Sequence, residues 1–142
     1  MKAALLVESF TGHTWKAAEL IGHNLAADGW TITGLSRVKQ PDHASIQAAD
    51  IVLVGTWVHG AFVVGQSPWA LGAIAGLPAM SGKQAAVFCT FAINPGKTLD
   101  KMTAALAATG ADVVGGLALH RAKIDEHAEQ FALRLLGAVP AR

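Results

Sequence analysis

Short apolar runs alternate with amphipathic segments along the whole chain. Residues 3–7, 51–54 and 85–89 are continuous apolar runs, which are typical of strands that are buried on both faces of a sheet. Residues 30–35 mix β-branched and aromatic side chains, and residues 112–119 complete the set. The pattern therefore predicts five strands.

Helical patterns separate these strands. Ala18, Ile21 and Leu25 recur with a helical period, Asn94 is suited to cap a later helix, and Gly110 is suited to end it. The predicted helices cover residues 14–28, 41–49, 68–75, 95–109 and 125–136. Five alternating strand and helix units predict an α/β fold. In such a fold a parallel sheet with right-handed crossovers lies between two layers of helices, as a three-layer sandwich.

The composition limits the number of domains and the kinds of partner that we expect. With 142 residues, 52% hydrophobic and 15% charged, the chain is expected to form a single domain over residues 1–142 with a packed core. A net charge of +1 without basic clusters argues against nucleic acid as a partner. Cys89 stands alone, and no signal peptide or membrane span is recognisable, so we expect a cytoplasmic protein.

A run of hydroxyl residues and glycine follows the first predicted strand. The residues are Ser9, Phe10, Thr11, Gly12, His13 and Thr14, and they lead directly into the first predicted helix. Unpaired N–H groups and the positive end of the dipole at a helix N-terminus favour anions, and hydroxyls add hydrogen bonds. The run predicts a site for a terminal phosphate. The alternative is an ordinary turn whose hydroxyls cap the helix.

Three segments are expected to meet at one edge of the sheet. Residues 9–14, 56–62 and 90–97 each follow a predicted strand, and ligands of open parallel sheets bind beyond the carboxyl ends of the strands. The second segment contains Trp57 and Phe62. These aromatic side chains predict a ligand site, although core packing or a dimer contact would also explain them.

The hydroxyl-glycine run resembles the phosphate loop of the flavodoxin-like family, which has the form Ser/Thr-x-Thr-Gly-x-Thr. Ser9, Thr11, Gly12 and Thr14 match its fixed positions. The resemblance extends in layout over nearly the whole chain. It implies a doubly wound sheet with strand order 2-1-3-4-5 and FMN as the cofactor.

The resemblance also implies a set of site residues. The phosphate would be held by the run from Ser9 to Thr14, with Thr56 as an extra donor. In the family an aromatic residue stacks on the flavin ring, so Trp57 is the first candidate, followed by His59 and Phe62. The residues implied around the flavin ring are Trp57, Val58, His59, Gly60, Thr90, Phe91, Ala92 and Asn94.

Three functions follow from the resemblance. The first is an electron carrier that passes electrons between redox proteins, here with near-neutral loops where the family usually carries an acidic surface. The second is an FMN-dependent reductase of quinones or other small molecules, and the third is a flavin-free binding or regulatory module. The oligomeric state stays open, and no catalytic residue is predicted.

Two other chemistries are disfavoured by the residues. Cys89 at the end of one predicted strand could meet His120 at the end of the next, as in a nucleophile pair, but Phe88 and Phe91 around the cysteine favour a buried, inert thiol. The six histidines show no metal-ligand spacing, so no metal site is predicted.

Overall fold

The computed structural model describes residues 1–59 and 67–139. Its elements, in chain order, are β1 (Lys2–Val7), α1 (His13–Ala27), β2 (Thr31–Arg37), α2 (His43–Ala48), β3 (Ile51–His59), β4 (Ser67–Pro68), α3 (Leu71–Ala75), β5 (Gln84–Phe91), α4 (Thr98–Ala107), β6 (Asp112–His120), a 3₁₀ turn (Arg121–Lys123) and α5 (Ile124–Ala138).

The main sheet is parallel, with strand order β2-β1-β3-β5-β6. The short strand β4 pairs antiparallel with β3 and lies off this path. Without β4 the order is 2-1-3-4-5, so the predicted doubly wound fold is confirmed. None of the helices in the described ranges combines the length and hydropathy needed to cross a bilayer.

Helices cover both faces of the sheet. α1 and α5 pack on one face, and α2, α3 and α4 pack on the other. Neighbouring residues of β1 enter different layers, because Leu5 lies in the core under α1 and α5 while Leu6 lies in the opposite core. A central strand therefore buries consecutive residues, which explains its continuous apolar run.

The third strand is longer than predicted. The sequence indicates a loop from Gly55 onward, whereas β3 continues to His59, and Thr56 and Trp57 pair with Cys89 and Thr90 of β5. The prediction was wrong because the glycine was taken as a strand end. The β-branched and aromatic residues that follow Gly55 suit a strand, and the glycine itself is required by packing within the sheet.

Two predicted helices begin later than expected. Pro68 lies in β4 opposite Val58, and α3 starts at Leu71, because a proline without an N–H fits a short edge strand. Asn94 does not cap α4: its Oδ1 accepts a hydrogen bond from the Gly96 N–H at 2.8 Å, in a turn. Gly96 has φ +56°, which no α-helix contains, so α4 begins only at Thr98.

Gly55 leaves room for a large side chain of the neighbouring strand β5. Gly55 pairs with Phe88, and a Cβ added at Gly55 would overlap the Phe88 ring. That ring is fully buried and lies 5.5 Å from the ring of Phe131 on α5, measured between centroids. The absence of a side chain at Gly55 is therefore a packing requirement rather than a turn signal.

Gly55→Ala is expected to lower the free energy of unfolding by about 1–3 kcal/mol, because the Phe88 ring has to leave its position. Urea denaturation followed by circular dichroism measures the change. Gly22→Ala is the matched control: an added Cβ would meet Ile32 and Leu5 at 3.8 Å, an ordinary contact, and alanine favours the helix by roughly 0.5–1 kcal/mol. Equal stability of the two variants would contradict this account.

Candidate functional site

A cleft lies at the carboxyl edge of the sheet, where the predicted segments meet. It has a volume of about 260 Å³ and contains residues that follow β1, that end β3 and β5, and that follow β6. The residues that line it are Phe10, Thr11, His13, Thr14, Trp57, Val58, Thr90, Phe91, Ala92 and Arg121. The structure thus brings together most of the residues predicted for the phosphate and for the flavin ring.

The loop before α1 directs backbone N–H groups at one oxygen atom. Ser9 Oγ accepts hydrogen bonds from the N–H of Gly12 at 3.1 Å and from the N–H of Trp15 at 3.3 Å. Gly12 has φ +92°, a left-handed conformation that suits glycine, and α1 follows at once. Ser9 Oγ therefore accepts from the first turn of α1, whose N-cap residue is Gly12. Ser9 and Gly12 line a neighbouring cavity rather than the cleft.

Thr11 and Thr14 both line the cleft, but their surroundings differ. The exposed Thr11 Oγ1 lies 2.6 Å from Nδ1 of His13. Thr14 is buried, and its Oγ1 lies 2.7 Å from Oγ1 of Thr90 on β5. In a pair of hydroxyls only one O–H can donate to the other, so the second proton is free to donate elsewhere. The pair thus joins the first turn of α1 to β5 and leaves one hydroxyl proton that the pair itself does not use.

Aromatic rings form one side of the cleft. The ring of Trp57 lies 5.3 Å from that of Phe10, at 33°, and stacks on Trp69 at 5.1 Å and 23°. Trp69 is also held by its backbone: its carbonyl accepts from the Thr56 hydroxyl, and its N–H donates to the Trp57 carbonyl, both at 3.0 Å. The Thr56 hydroxyl therefore positions Trp69 and does not line the cleft.

Phe91, the last residue of β5, lies against His120, the last residue of β6. Their rings meet edge to face at 5.1 Å. His120 Nδ1 accepts from the N–H of Ala122 at 3.1 Å, which fixes the start of the 3₁₀ turn. His120 pairs with Phe91 across the strands, while Cys89 pairs with Ala118. Cys89 is fully buried, so the predicted burial of this thiol is confirmed, and burial raises its pKa to about 12.

An ion pair between the buried Glu8 and the exposed Arg37 lies directly before the first loop. Glu8 at the end of β1 is 2% exposed, and its carboxylate accepts from Arg37 Nη2 at 2.8 Å and from the Lys39 N–H at 3.0 Å. The bond to Glu8 raises the pKa of the Arg37 guanidinium. Lys39 Nζ in turn lies 5.3 Å from the ring centroid of Trp69. This arrangement ties the segment after β2 to the aromatic side of the site.

Two residues of this region do not follow from the sequence pattern. Trp69 lies behind Trp57, on which it stacks, and not in the predicted helix, and Arg121 lines the cleft. Both positions depend on tertiary packing, which no local pattern indicates. Asn94 does not line the cleft. Gly60, Phe62 and the side chain of His59 lie outside the described residues. Across the ranges that the structure describes, no group of histidine, cysteine and carboxylate side chains could hold a metal ion.

Comparison with solved structures defines the fold class. The chain superposes on a flavodoxin of Streptococcus pneumoniae TIGR4 with a TM-score of 0.74 and 21% identity, over 98% of this chain and 100% of that one. Oxidised flavodoxin 2 of Bacillus cereus gives a TM-score of 0.75 and 20% identity over the same shares, 98% and 100%. Two-electron reduced Megasphaera elsdenii flavodoxin gives 0.69 and 19%, over 94% and 99%.

These likenesses show that the protein has the flavodoxin-like fold over nearly its whole described length. No protein-family model matches the sequence, and a search of curated proteins finds no match either. The path of the backbone therefore establishes the fold class, whereas the function depends on the residues of the cleft.

The Thr14–Thr90 pair gives a test that needs no ligand. Thr14→Val or Thr90→Val alone leaves the other buried hydroxyl without its partner, so each is expected to cost about 1–3 kcal/mol of unfolding free energy. The double variant is expected to lose clearly less than the sum of the two. Denaturant unfolding of all four proteins measures the coupling as a double-mutant cycle.

Thr98→Val is the control for this cycle. Thr98 is fully buried, and its Oγ1 has no hydrogen-bond partner in the described structure, so removing that hydroxyl is expected to be neutral or stabilising. Strict additivity of the Thr14 and Thr90 substitutions would show that the two hydroxyls do not depend on each other.

Proposed function

We propose that the cleft binds FMN without a covalent bond and that the protein is an electron carrier. The observation that carries the proposal is the convergence of three elements on one cleft. These are the hydroxyl-glycine loop before α1, the end of β3 with Trp57, and the end of β5 with Thr90 and Phe91. The family resemblance implies flavin contacts from the same three positions.

The donors in the first loop fit a phosphate group. The N–H groups of Gly12 and Trp15 already converge on a single oxygen, which shows that the loop can place two donors around one acceptor. Thr11 and Thr14, from the same run of residues, contribute hydroxyls to the cleft. Phosphate oxygens accept strong, charge-assisted hydrogen bonds from such groups at a helix N-terminus.

The aromatic residues fit a flat ring system. Trp57 and Phe91 line the cleft from two strands, and the aromatic contacts of Trp57 with Phe10 and Trp69 and of Phe91 with His120 hold their rings in place. Phe10 is 77% exposed and free to shift when a ring enters. An aromatic surface disfavours added negative charge on a neighbouring flavin, so these residues would tune its potential.

A bound flavin would supply one- and two-electron transfer at the edge of the protein. The chain's own residues would then hold the phosphate, orient the ring and limit the access of water. We infer a single cytoplasmic domain that exchanges electrons with redox proteins. The reductase of quinones or small molecules is the second candidate, because most of the described residues that line the cleft are apolar or uncharged and none of them is an aspartate or glutamate.

FMN uptake tests the proposal directly. The purified protein is expected to bind added FMN in about equimolar amount and to retain its absorption bands after gel filtration. A colourless protein that takes up no FMN would overturn both the carrier and the reductase, and would favour the flavin-free module. NAD(P)H oxidation driven by a quinone, without an added reductase, would favour the enzyme over the carrier.

The combined variant Thr11→Ala and Thr14→Ala is expected to weaken FMN binding, because each hydrogen bond to a charged group contributes on the order of 1.5–3 kcal/mol. Riboflavin, which has no phosphate, is expected to bind almost unchanged. Quenching of flavin fluorescence measures both affinities. Thr103→Ala on α4, away from the cleft, is the control. Equal losses for the two ligands would place these hydroxyls elsewhere.

A further inference from the structure

We propose that Arg121 is the counter-charge for the phosphate of the bound ligand. This inference rests on the proposed function and extends it to a residue outside the hydroxyl-glycine run. Of the described side chains that line the cleft, Arg121 is the only arginine or lysine, and no aspartate or glutamate accompanies it. A ligand that carries negative charge is therefore favoured in this cleft over a neutral one.

The packing of α1 against α5 places Arg121 beside the phosphate loop. Both helices begin at the carboxyl edge of the sheet, and they pack on the same face. Lys16 Nζ of α1 lies 3.3 Å from Asp125 Oδ1 of α5, so the first turns of the two helices lie side by side. Arg121 precedes Asp125, and His13 precedes Lys16, each by about one turn. Arg121 and the N-terminus of α1 therefore lie at the same level.

The side chain of Arg121 is available for a ligand. The residue is exposed at the mouth of the cleft, and within the described chain no ion pair involves it. Its backbone is fixed, because the 3₁₀ turn Arg121–Lys123 is capped by the bond from the Ala122 N–H to His120 Nδ1. A guanidinium can donate two parallel hydrogen bonds to two phosphate oxygens at once, whereas a hydroxyl or a backbone N–H has a single proton to donate.

The negative charge of the phosphate is the physical reason to expect a cation beside it. A phosphate monoester carries about −1.5 to −2 charges at pH 7. The N–H groups and hydroxyls of the first loop supply hydrogen bonds but no formal charge. One guanidinium would neutralise part of the phosphate charge without displacing these donors. The affinity for FMN should then contain an electrostatic part that salt screens, and the affinity for riboflavin should not.

The experiment compares Arg121→Gln with Lys123→Gln. Both substitutions remove one positive charge from the same 3₁₀ turn, but Lys123 does not line the cleft. Arg121→Gln is expected to lower FMN affinity about tenfold or more, to leave riboflavin affinity unchanged and to flatten the dependence of FMN binding on salt. Lys123→Gln is expected to change none of these quantities by more than about twofold. Arg121→Lys is expected to recover part of the loss, because it keeps the charge without the planar fork.

The outcomes separate this inference from the proposed function. If the unaltered protein binds no FMN, the proposed function fails, and this inference fails with it. If it binds FMN and Arg121→Gln binds FMN equally well, only the role of Arg121 is overturned. Equal losses of FMN and riboflavin would also overturn it, because they would place Arg121 at the ring or assign it to the fold. Unfolding curves of the variants identify any loss that comes from stability.

Discussion

The rest of the structure depends on a parallel sheet that is buried on both faces. Parallel strands cannot be joined by tight turns, so each connection has to cross a face of the sheet as a helix. All five strands of the main sheet then end at the same edge. That constraint brings residues from distant parts of the sequence, such as Thr14 and Thr90, within hydrogen-bond distance. The cleft is a consequence of the topology, and its chemistry comes from the residues at the strand ends.

Much of the architecture was predictable from local patterns. Continuous apolar runs identified β1, β3 and β5, because central strands leave no polar face, and the alternation with helical periods gave the fold class. The hydroxyl-glycine run before α1 was recognisable because its residues are contiguous. The superposition on solved flavodoxins confirms the fold.

The remaining features depend on contacts between distant residues. Gly55 resembles a strand end in the sequence, and only the Phe88 ring across the sheet explains why a strand contains it. Trp69 joins the aromatic side of the cleft because Thr56 and Trp57 bond to its backbone. Arg121 enters the cleft because α5 packs beside α1. The partners in these contacts lie 12 or more residues apart and on different elements, so the periodicity of a single element does not predict them.

The hydroxyl of Ser9 has a consequence for selectivity. Since Ser9 Oγ already satisfies the N–H groups of Gly12 and Trp15, a ligand oxygen that takes these donors replaces one acceptor with another. Replacing the neutral Ser9 oxygen with another neutral oxygen changes the binding free energy very little. Replacing it with a charged oxygen is favourable by the difference between an ordinary and a charge-assisted hydrogen bond. If the loop binds the proposed phosphate, Ser9 Oγ is the acceptor that a phosphate oxygen has to replace. A charged oxygen would then be favoured over the neutral oxygen of a sugar or of water.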